Sequence, residues 1–184
     1  MAKRPPQPLD PDRLLNVALR ALGGRAHSAG ELREKLRRRA QNEQDVEAVL
    51  AKLKEAGYLD DRRFAESYAA ARLENEGLGK MRVLRDLRQR RVAPALAEQV
   101  TERTYQDTEE ASLIEDFLRR RYRGKQIKAF LSEEKNLANA FRRLRYAGFS
   151  AGQSIRVLKR FANQPEALDA LESEEDSSSD ENSH

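Results

Sequence analysis

The chain has 184 residues, of which 39% are hydrophobic and 36% charged, and this balance favours a thin stack of amphipathic helices over one thick core. It contains no cysteine, which excludes disulfides, thiolate zinc sites and a cysteine nucleophile and fits a cytoplasmic location. The sequence has neither an apolar run long enough to cross a bilayer nor an apolar secretion signal, so we expect neither membrane insertion nor export.

The positive charge is concentrated in the first 164 residues. Residues 165–184 contain eight acidic residues and no Lys or Arg, which leaves 35 basic and 23 acidic residues in positions 1–164, a net charge of +12. A body this basic attracts polyanions or acidic protein surfaces. We therefore expect an anionic macromolecular partner.

The first predicted three-helix repeat covers residues 10–58, after a proline-containing leader (residues 1–9) that we expect to be disordered. Asp10-Pro11 is a typical helix start, because the carboxylate caps free amides and proline needs no amide partner there. The segment Ser28-Ala29-Gly30-Glu31 has the spacing of a capping box and predicts the second helix. A third helical pattern follows and ends at Gly57.

A basic, leucine-containing helix recurs in two further repeats, which we place at residues 59–106 and 107–163. The segments ELREKLRRR, RVLRDLRQR and NAFRRLRYA superimpose so that their leucines coincide, and an arginine follows each leucine. These pairs are Leu36-Arg37, Leu87-Arg88 and Leu144-Arg145. The third repeat carries an additional segment, GKQIKAFLSEEK, to which the sequence assigns no role.

The sequence predicts an all-α fold. No stretch alternates apolar and polar residues long enough to indicate a strand. We expect an elongated array of three tandem three-helix repeats that resemble helix-turn-helix units, followed by an acidic, disordered tail over residues 164–184.

No catalytic or cofactor-binding constellation can be assembled from the sequence. A phosphate-binding loop ending at Gly79-Lys80 would need a glycine where Glu74 stands and Ser or Thr where Met81 stands. The two histidines, His27 and His184, have no partner at metal-ligand or general-base spacing. We therefore expect a protein that is not an enzyme and that binds neither a metal nor a cofactor.

Basic side chains are the remaining candidates for contact with a partner. Lys80, Arg85, Arg88 and Arg91 lie three to five residues apart and can share one helical face. A charged helix face is usually only solvated, but guanidinium groups pair well with carboxylate and phosphate, and the arginine that recurs after each leucine favours a binding strip. The predicted partner-binding residues are Arg37, Arg38, Arg63, Arg72, Lys80, Arg82, Arg85, Arg88, Arg91, Arg142 and Arg145.

Residues 57–92 carry glycine, aromatic, acidic and basic residues in a fixed order. They include Gly57, Tyr58, Leu59, Asp60, Asp61, Arg63, Phe64, Ala65, Tyr68, Arg72, Gly77, Gly79 and Leu87. These positions resemble the RecX family of recombination regulators, whose pattern is a Gly-Tyr-Leu-Asp-Asp block, then Arg-Phe-Ala, an aromatic residue, a glycine-containing turn and a basic leucine-rich helix. Weaker similarity covers residues 12–162. Three features depart from the family: Arg91 stands where a glycine commonly precedes the apolar residue, and the acidic tail and the insertion are not typical.

The resemblance implies tandem repeats that bind the helical groove of a RecA recombinase filament on single-stranded DNA. It also implies inhibition of ATP hydrolysis, of strand exchange and of the co-protease activity that triggers the SOS response. We expect a monomer that also contacts single- or double-stranded DNA. Two alternatives stay open: a stand-alone helix-turn-helix DNA-binding protein, and an adaptor that binds only protein and whose acidic tail covers the basic strip.

Overall fold

The computed structural model describes residues 8–162 and Leu168, and within them the chain forms ten α-helices. These residues contain no β-strand beyond one isolated bridge between Leu9 and Ala40, so the predicted all-α class is confirmed. None of the described helices is long and apolar enough to cross a membrane. The helices are α1 Pro11–Gly24, α2 Ala29–Arg37, α3 Glu43–Glu55, α4 Asp61–Ala71, α5 Lys80–Gln89, α6 Pro94–Tyr105, α7 Glu110–Arg121, α8 Ile127–Leu131, α9 Glu134–Ala147 and α10 Ala151–Leu158, and a π-helical turn, Arg72–Glu76, follows α4.

The helices form two compact units. The first unit comprises Met1–Ala70 and Arg85–Arg103, and the second comprises Ala71–Leu84 and Thr104–His184. Helices α4, α5 and α6 each contribute residues to both units. The predicted second repeat therefore supplies parts of two compact units.

The core of the first unit forms where α1, α2 and α3 pack against one another. The Asp10 carboxylate accepts a hydrogen bond from the Arg13 amide at 2.9 Å and so begins α1. The Ser28 hydroxyl accepts from the Glu31 amide at 3.0 Å while the Glu31 carboxylate accepts from the Ser28 amide, which confirms the predicted capping box. The buried side chains of this core are Leu14, Ala18, Ala29, Leu32, Leu36, Val46, Val49, Leu50, Leu53 and Leu59.

The core of the second unit lies among α7, α9 and α10, with α8 packed against α9. Phe117 and Phe149 meet edge to face, with ring centroids 5.5 Å apart. The segment to which the sequence assigned no role forms α8, whose Leu131 is fully buried. The insertion therefore extends the core of this unit.

The recurrent leucines have the same environment in each repeat. Leu36, Leu87 and Leu144 are all fully buried. The residues one turn earlier, Leu32, Val83 and Ala140, are fully buried as well. The period detected in the sequence therefore marks the inward face of α2, α5 and α9.

Two leucines, Leu9 and Leu168, lie in segments that the sequence predicts to be a disordered leader and tail, yet both pack against a core. Residues 1–7 and most of residues 164–184 lie outside the described residues. Leu9 is half-buried against the first core, and its amide donates to the Arg39 carbonyl at 2.7 Å. Leu168 is fully buried in the second core. These two leucines therefore pack on the cores although the sequence placed them in the leader and the tail, because burial of an apolar side chain is favourable.

Close backbone contacts join successive repeats inside each unit. In the first unit, Gly30 near the start of α2 lies against Arg91, just after α5. In the second unit, Gly79 lies against Gly148, just after α9. The Gly79 amide donates to the Ala147 carbonyl at 2.8 Å, and the Met81 amide to the Gly148 carbonyl at 3.1 Å. The start of one helix thus meets the end of the equivalent helix in the next repeat, through positions that only glycine fits.

Candidate functional site

The arginine that follows each recurrent leucine has a structural partner. Arg37 at the end of α2 pairs with Glu43 at the start of α3. Arg88 of α5 pairs with Glu98 of α6 at 2.6 Å. Arg145 of α9 donates to the Phe149 carbonyl at 2.5 Å. These contacts tie the second helix of a repeat to the segment that follows it, which is a physical reason for the recurrence that requires no external partner.

Four other predicted arginines also have partners within the chain. Arg38 and Arg91 both approach Glu34, at 3.3 Å and 3.7 Å. Arg72 pairs with Glu76 one turn later in the π-helical turn. Arg63 donates to the Gly57 carbonyl at 3.0 Å.

The predicted basic face of α5 is divided among several neighbours. Lys80 is half-buried, and Arg85 is exposed. Arg88 reaches α6, whereas Arg91 reaches α2. Arg88 and Arg91, predicted to share one binding face, therefore pair with glutamates of two different helices.

Most residues of the family-like block hold the first unit together. Leu59, Ala65 and Leu87 are buried. The Asp60 carboxylate accepts from the Arg63 amide at 3.0 Å and so begins α4, while the Asp61 carboxylate accepts from the Ala29 amide at 2.6 Å. Both Gly57 and Gly77 have positive φ, 72° and 61°, at helix ends.

Aromatic residues of the same block line a groove of about 780 Å³ in the first unit. Phe64 and Tyr68 stack with ring centroids 6.1 Å apart, and the Arg90 guanidinium lies 4.8 Å from the centre of the Tyr68 ring. Tyr58, also in the groove, is 61% exposed. The groove is therefore mainly apolar, with an aromatic rim.

Glu31 connects two cationic side chains of the first unit. Its carboxylate accepts two hydrogen bonds from Arg25, both at 3.1 Å, and one from Arg90 at 3.2 Å. Burial opposes ionisation of Glu31, but the hydrogen bonds and charges of Arg25, Ser28 and Arg90 outweigh it and lower the pKa of that carboxyl. Burial, with the positive charge of Arg25, also lowers the pKa of His27.

The second unit contains a groove of about 640 Å³ that is lined in part by four arginines. Its apolar part is formed by Leu78, Phe117 and Ala147, with Tyr146 at its edge. We call this the arginine groove. Its polar lining residues are Glu76, Arg82, Arg121, Asn139, Arg142 and Arg143.

Three of the four arginines of the arginine groove are exposed, and Arg82 is half-buried. Arg82 lies over the Tyr146 ring, 4.6 Å from its centre, and Tyr146 itself is 70% exposed. Arg121 and Arg143 are exposed and form no ion pair with any carboxylate of the described residues. Arg142 donates to the Asn139 side chain at 3.0 Å. Exposed guanidiniums beside an aromatic face suit carboxylate or phosphate groups.

The structure brings two of the predicted partner-binding residues, Arg82 and Arg142, together in this groove. It adds Arg121, Arg143 and Tyr146, which were not predicted to bind a partner. Runs of arginine were visible in the sequence at both places, but only the packing of α7 against its neighbours brings Arg121 to α9. No periodicity in the sequence carries that information.

Comparison with known proteins identifies the family. The model of the first three-helix domain of RecX matches residues 15–53, and that of the second matches residues 60–100. A regulatory protein RecX from Halorhodospira halophila is 42% identical over 87 residues, 47% of this chain and 53% of the relative. One from Vibrio parahaemolyticus is 33% identical over 137 residues, 74% of this chain and 84% of the relative. The chain belongs to the RecX family.

Solved RecX structures share the fold. The crystal structure of RecX from Lactobacillus salivarius has a TM-score of 0.62 and 21% identity, covering 83% of this chain and 96% of that one. A second crystal structure, of regulatory protein RecX, has a TM-score of 0.59 and covers 80% of this chain and 70% of that one. Both the resemblance to RecX and the expectation of RecX-type helical repeats are thus confirmed.

Proposed function

We propose that this chain binds filaments of the RecA recombinase on single-stranded DNA in the cytoplasm. Bound there, it lowers their ATP hydrolysis, strand exchange and SOS co-protease activity. Membership of the RecX family supports the regulatory role, and the net charge of +12 over residues 1–164 supports an anionic partner. The chain acts by binding rather than by turnover.

The arginine groove is the observation that carries this proposal. Arg121 and Arg143 can bind a carboxylate or a phosphate without first leaving a partner among the described residues. Arg37 and Arg88, in contrast, must give up a glutamate of this chain to do so. A filament of protein and DNA offers both kinds of anion, and complementary charge raises the rate and specificity of such an encounter.

The proposal is tested by RecA-dependent ATP turnover on single-stranded DNA with increasing amounts of the purified chain. We expect turnover to fall at amounts comparable to RecA, and strand exchange and repressor cleavage to fall with it. The double variant Arg121→Glu/Arg143→Glu should inhibit much less. Its matched control, Arg20→Glu/Arg39→Glu, makes the same change in net charge at exposed positions of the first unit and should inhibit normally. Unchanged turnover with excess wild-type chain refutes the proposal.

Direct DNA binding is the second candidate function, because a basic groove with an exposed aromatic face also suits nucleic acid. It is distinguished by binding to labelled oligonucleotides without RecA, measured as a function of salt and of base sequence. A clear base-sequence preference would favour the stand-alone DNA-binding protein. Weak binding without such a preference, together with inhibition of RecA, would favour the filament regulator.

A further inference from the structure

The end of this chain is complementary in charge to the arginine groove. Residues 169–184 contain seven carboxylates and no Lys or Arg: Asp169, Glu172, Glu174, Glu175, Asp176, Asp180 and Glu181. The groove presents four arginines and a single carboxylate, Glu76, which is paired with Arg72. Charge of opposite sign is therefore present on one molecule, on a groove wall and on the segment that ends the chain.

The acidic segment follows a residue that is buried in the same core as the groove. Leu168, the residue immediately before it, is fully buried in the hydrophobic core of the second unit. Leu78, Phe117 and Ala147, which line the groove, belong to or pack against that same core. Leu168 and the groove therefore belong to one compact unit.

The segment is long enough to reach the groove. Sixteen residues extend to roughly 55 Å at most. Such a tether gives an effective concentration on the order of millimolar, so weak ion pairs suffice for occupancy. We propose that residues 169–184 bind the arginine groove of the same molecule and compete there with polyanionic partners.

Binding of residues 169–184 to the arginine groove does not depend on which external partner the groove binds. It can therefore be tested without RecA. The chain contains no cysteine, and Ser183→Cys therefore gives a single site for a nitroxide spin label in the full chain. We expect paramagnetic broadening of the amide signals of Asn139, Arg143 and Tyr146 at low salt. Broadening should disappear in about 0.5 M NaCl, where the Debye length is roughly 4 Å.

Two variants assign the broadening to the groove. Arg121→Glu/Arg143→Glu should abolish it, whereas Arg20→Glu/Arg39→Glu should retain it, with circular dichroism confirming that both remain helical. Broadening that is absent, uniform over the chain or unchanged in the groove variant overturns the proposal. A mixture of spin-labelled, unenriched chain with unlabelled, isotope-enriched chain should show none. Broadening in that mixture would assign the groove to a second copy and overturn the intramolecular contact.

The competition is measured with a labelled single-stranded oligonucleotide. A chain ending at Ala170 keeps Leu168 and should bind the oligonucleotide about threefold or more tightly than the full chain at low salt, since seven carboxylates reduce to one. The difference should vanish at high salt. Equal affinities at low salt, or failure of the oligonucleotide to reverse the broadening, would overturn the competition.

Discussion

Gly30 and Arg91 approach so closely that a side chain on the glycine has no room. A Cβ atom on Gly30 would lie 2.3 Å from the Arg91 carbonyl oxygen and 2.4 Å from the Arg91 Cβ. The Ser28 hydroxyl donates to the carbonyl of Arg90, one residue before. The start of α2 is therefore fitted to the chain that leaves α5.

We expect Gly30→Ala to destabilise the first unit. Overpacking of a close contact costs about 1–3 kcal/mol, so the urea midpoint should fall clearly. Gly152→Ala is the matched control, because Gly152 occupies the same place in the capping segment of α10 and a Cβ there meets nothing within 4 Å. That control should be neutral or gain up to about 0.5–1 kcal/mol from the lower chain entropy of alanine. Equal losses in both variants would contradict the close fit.

Arg91 itself adopts a left-handed backbone with φ 60°, where the RecX pattern commonly has glycine. Such a conformation costs a residue with a Cβ about 1–2 kcal/mol. The pair that Arg91 forms with Glu34 at 3.7 Å is exposed, so it is worth at most about 1 kcal/mol. Arg91→Gly should therefore raise the unfolding free energy by about 0.5–1 kcal/mol, as the net of these two effects. A loss in urea denaturation would show that the side chain contributes more than the strain.

Tyr146→Ala should weaken binding to RecA filaments by about fivefold, which corresponds to roughly 1 kcal/mol. The ring stands at the edge of the arginine groove and stacks with Arg82. It is 70% exposed, so its removal should leave the unfolding free energy within about 0.5 kcal/mol. Tyr58→Ala removes a ring that is 61% exposed on the first unit and serves as control. Equal losses of binding in the two variants would remove the special role of the arginine groove.

His27 makes stability depend on pH. Because burial and Arg25 lower its pKa from the ordinary 6.5, the unfolded chain takes up a proton at higher pH than the folded chain. The unfolding free energy should therefore fall as the pH drops through about 6.5 and level off below the folded pKa. Glu31 has a lowered pKa, so its own contribution is lost only in the more acidic range below its ordinary 4.5. His27→Gln should flatten the profile between about pH 7 and 5.5, and an unchanged profile would contradict the assignment.

Local signals predicted the helices and their register well. The side chains of Asp10 and Ser28 begin helices by accepting hydrogen bonds from amides three residues later, and this spacing can be recognised in the sequence. The buried row that includes Leu36, Leu87 and Leu144 follows from helical periodicity, which requires no knowledge of distant residues. All-α repeats could therefore be predicted before any packing was known.

The features that the sequence did not predict depend on contacts that form only when the helices pack together. Nothing near Arg88 in sequence indicates that Glu98 of the next helix accepts its charge. Nothing near Leu168, which stands among acidic residues, indicates that a core lies beside it. The left-handed backbone of Arg91 contradicts the preference of its residue type, and only its surroundings impose it. The candidate site changed most, because contacts such as those of Arg88 with Glu98 and of Arg91 with Glu34 depend on how the helices pack.

The contact between Gly79 and Gly148 determines where the chain can be truncated without loss of backbone hydrogen bonds. Amides at the start of α5 find their acceptors on the carbonyls of Ala147 and Gly148, in the following repeat. If the middle repeat were excised, these amides would lose their carbonyl acceptors and hydrogen-bond to water instead. The surface around Gly79 that packs against Gly148 would be exposed. One sequence repeat is therefore not an independent folding unit. Truncated chains should end in loops that form none of these backbone hydrogen bonds.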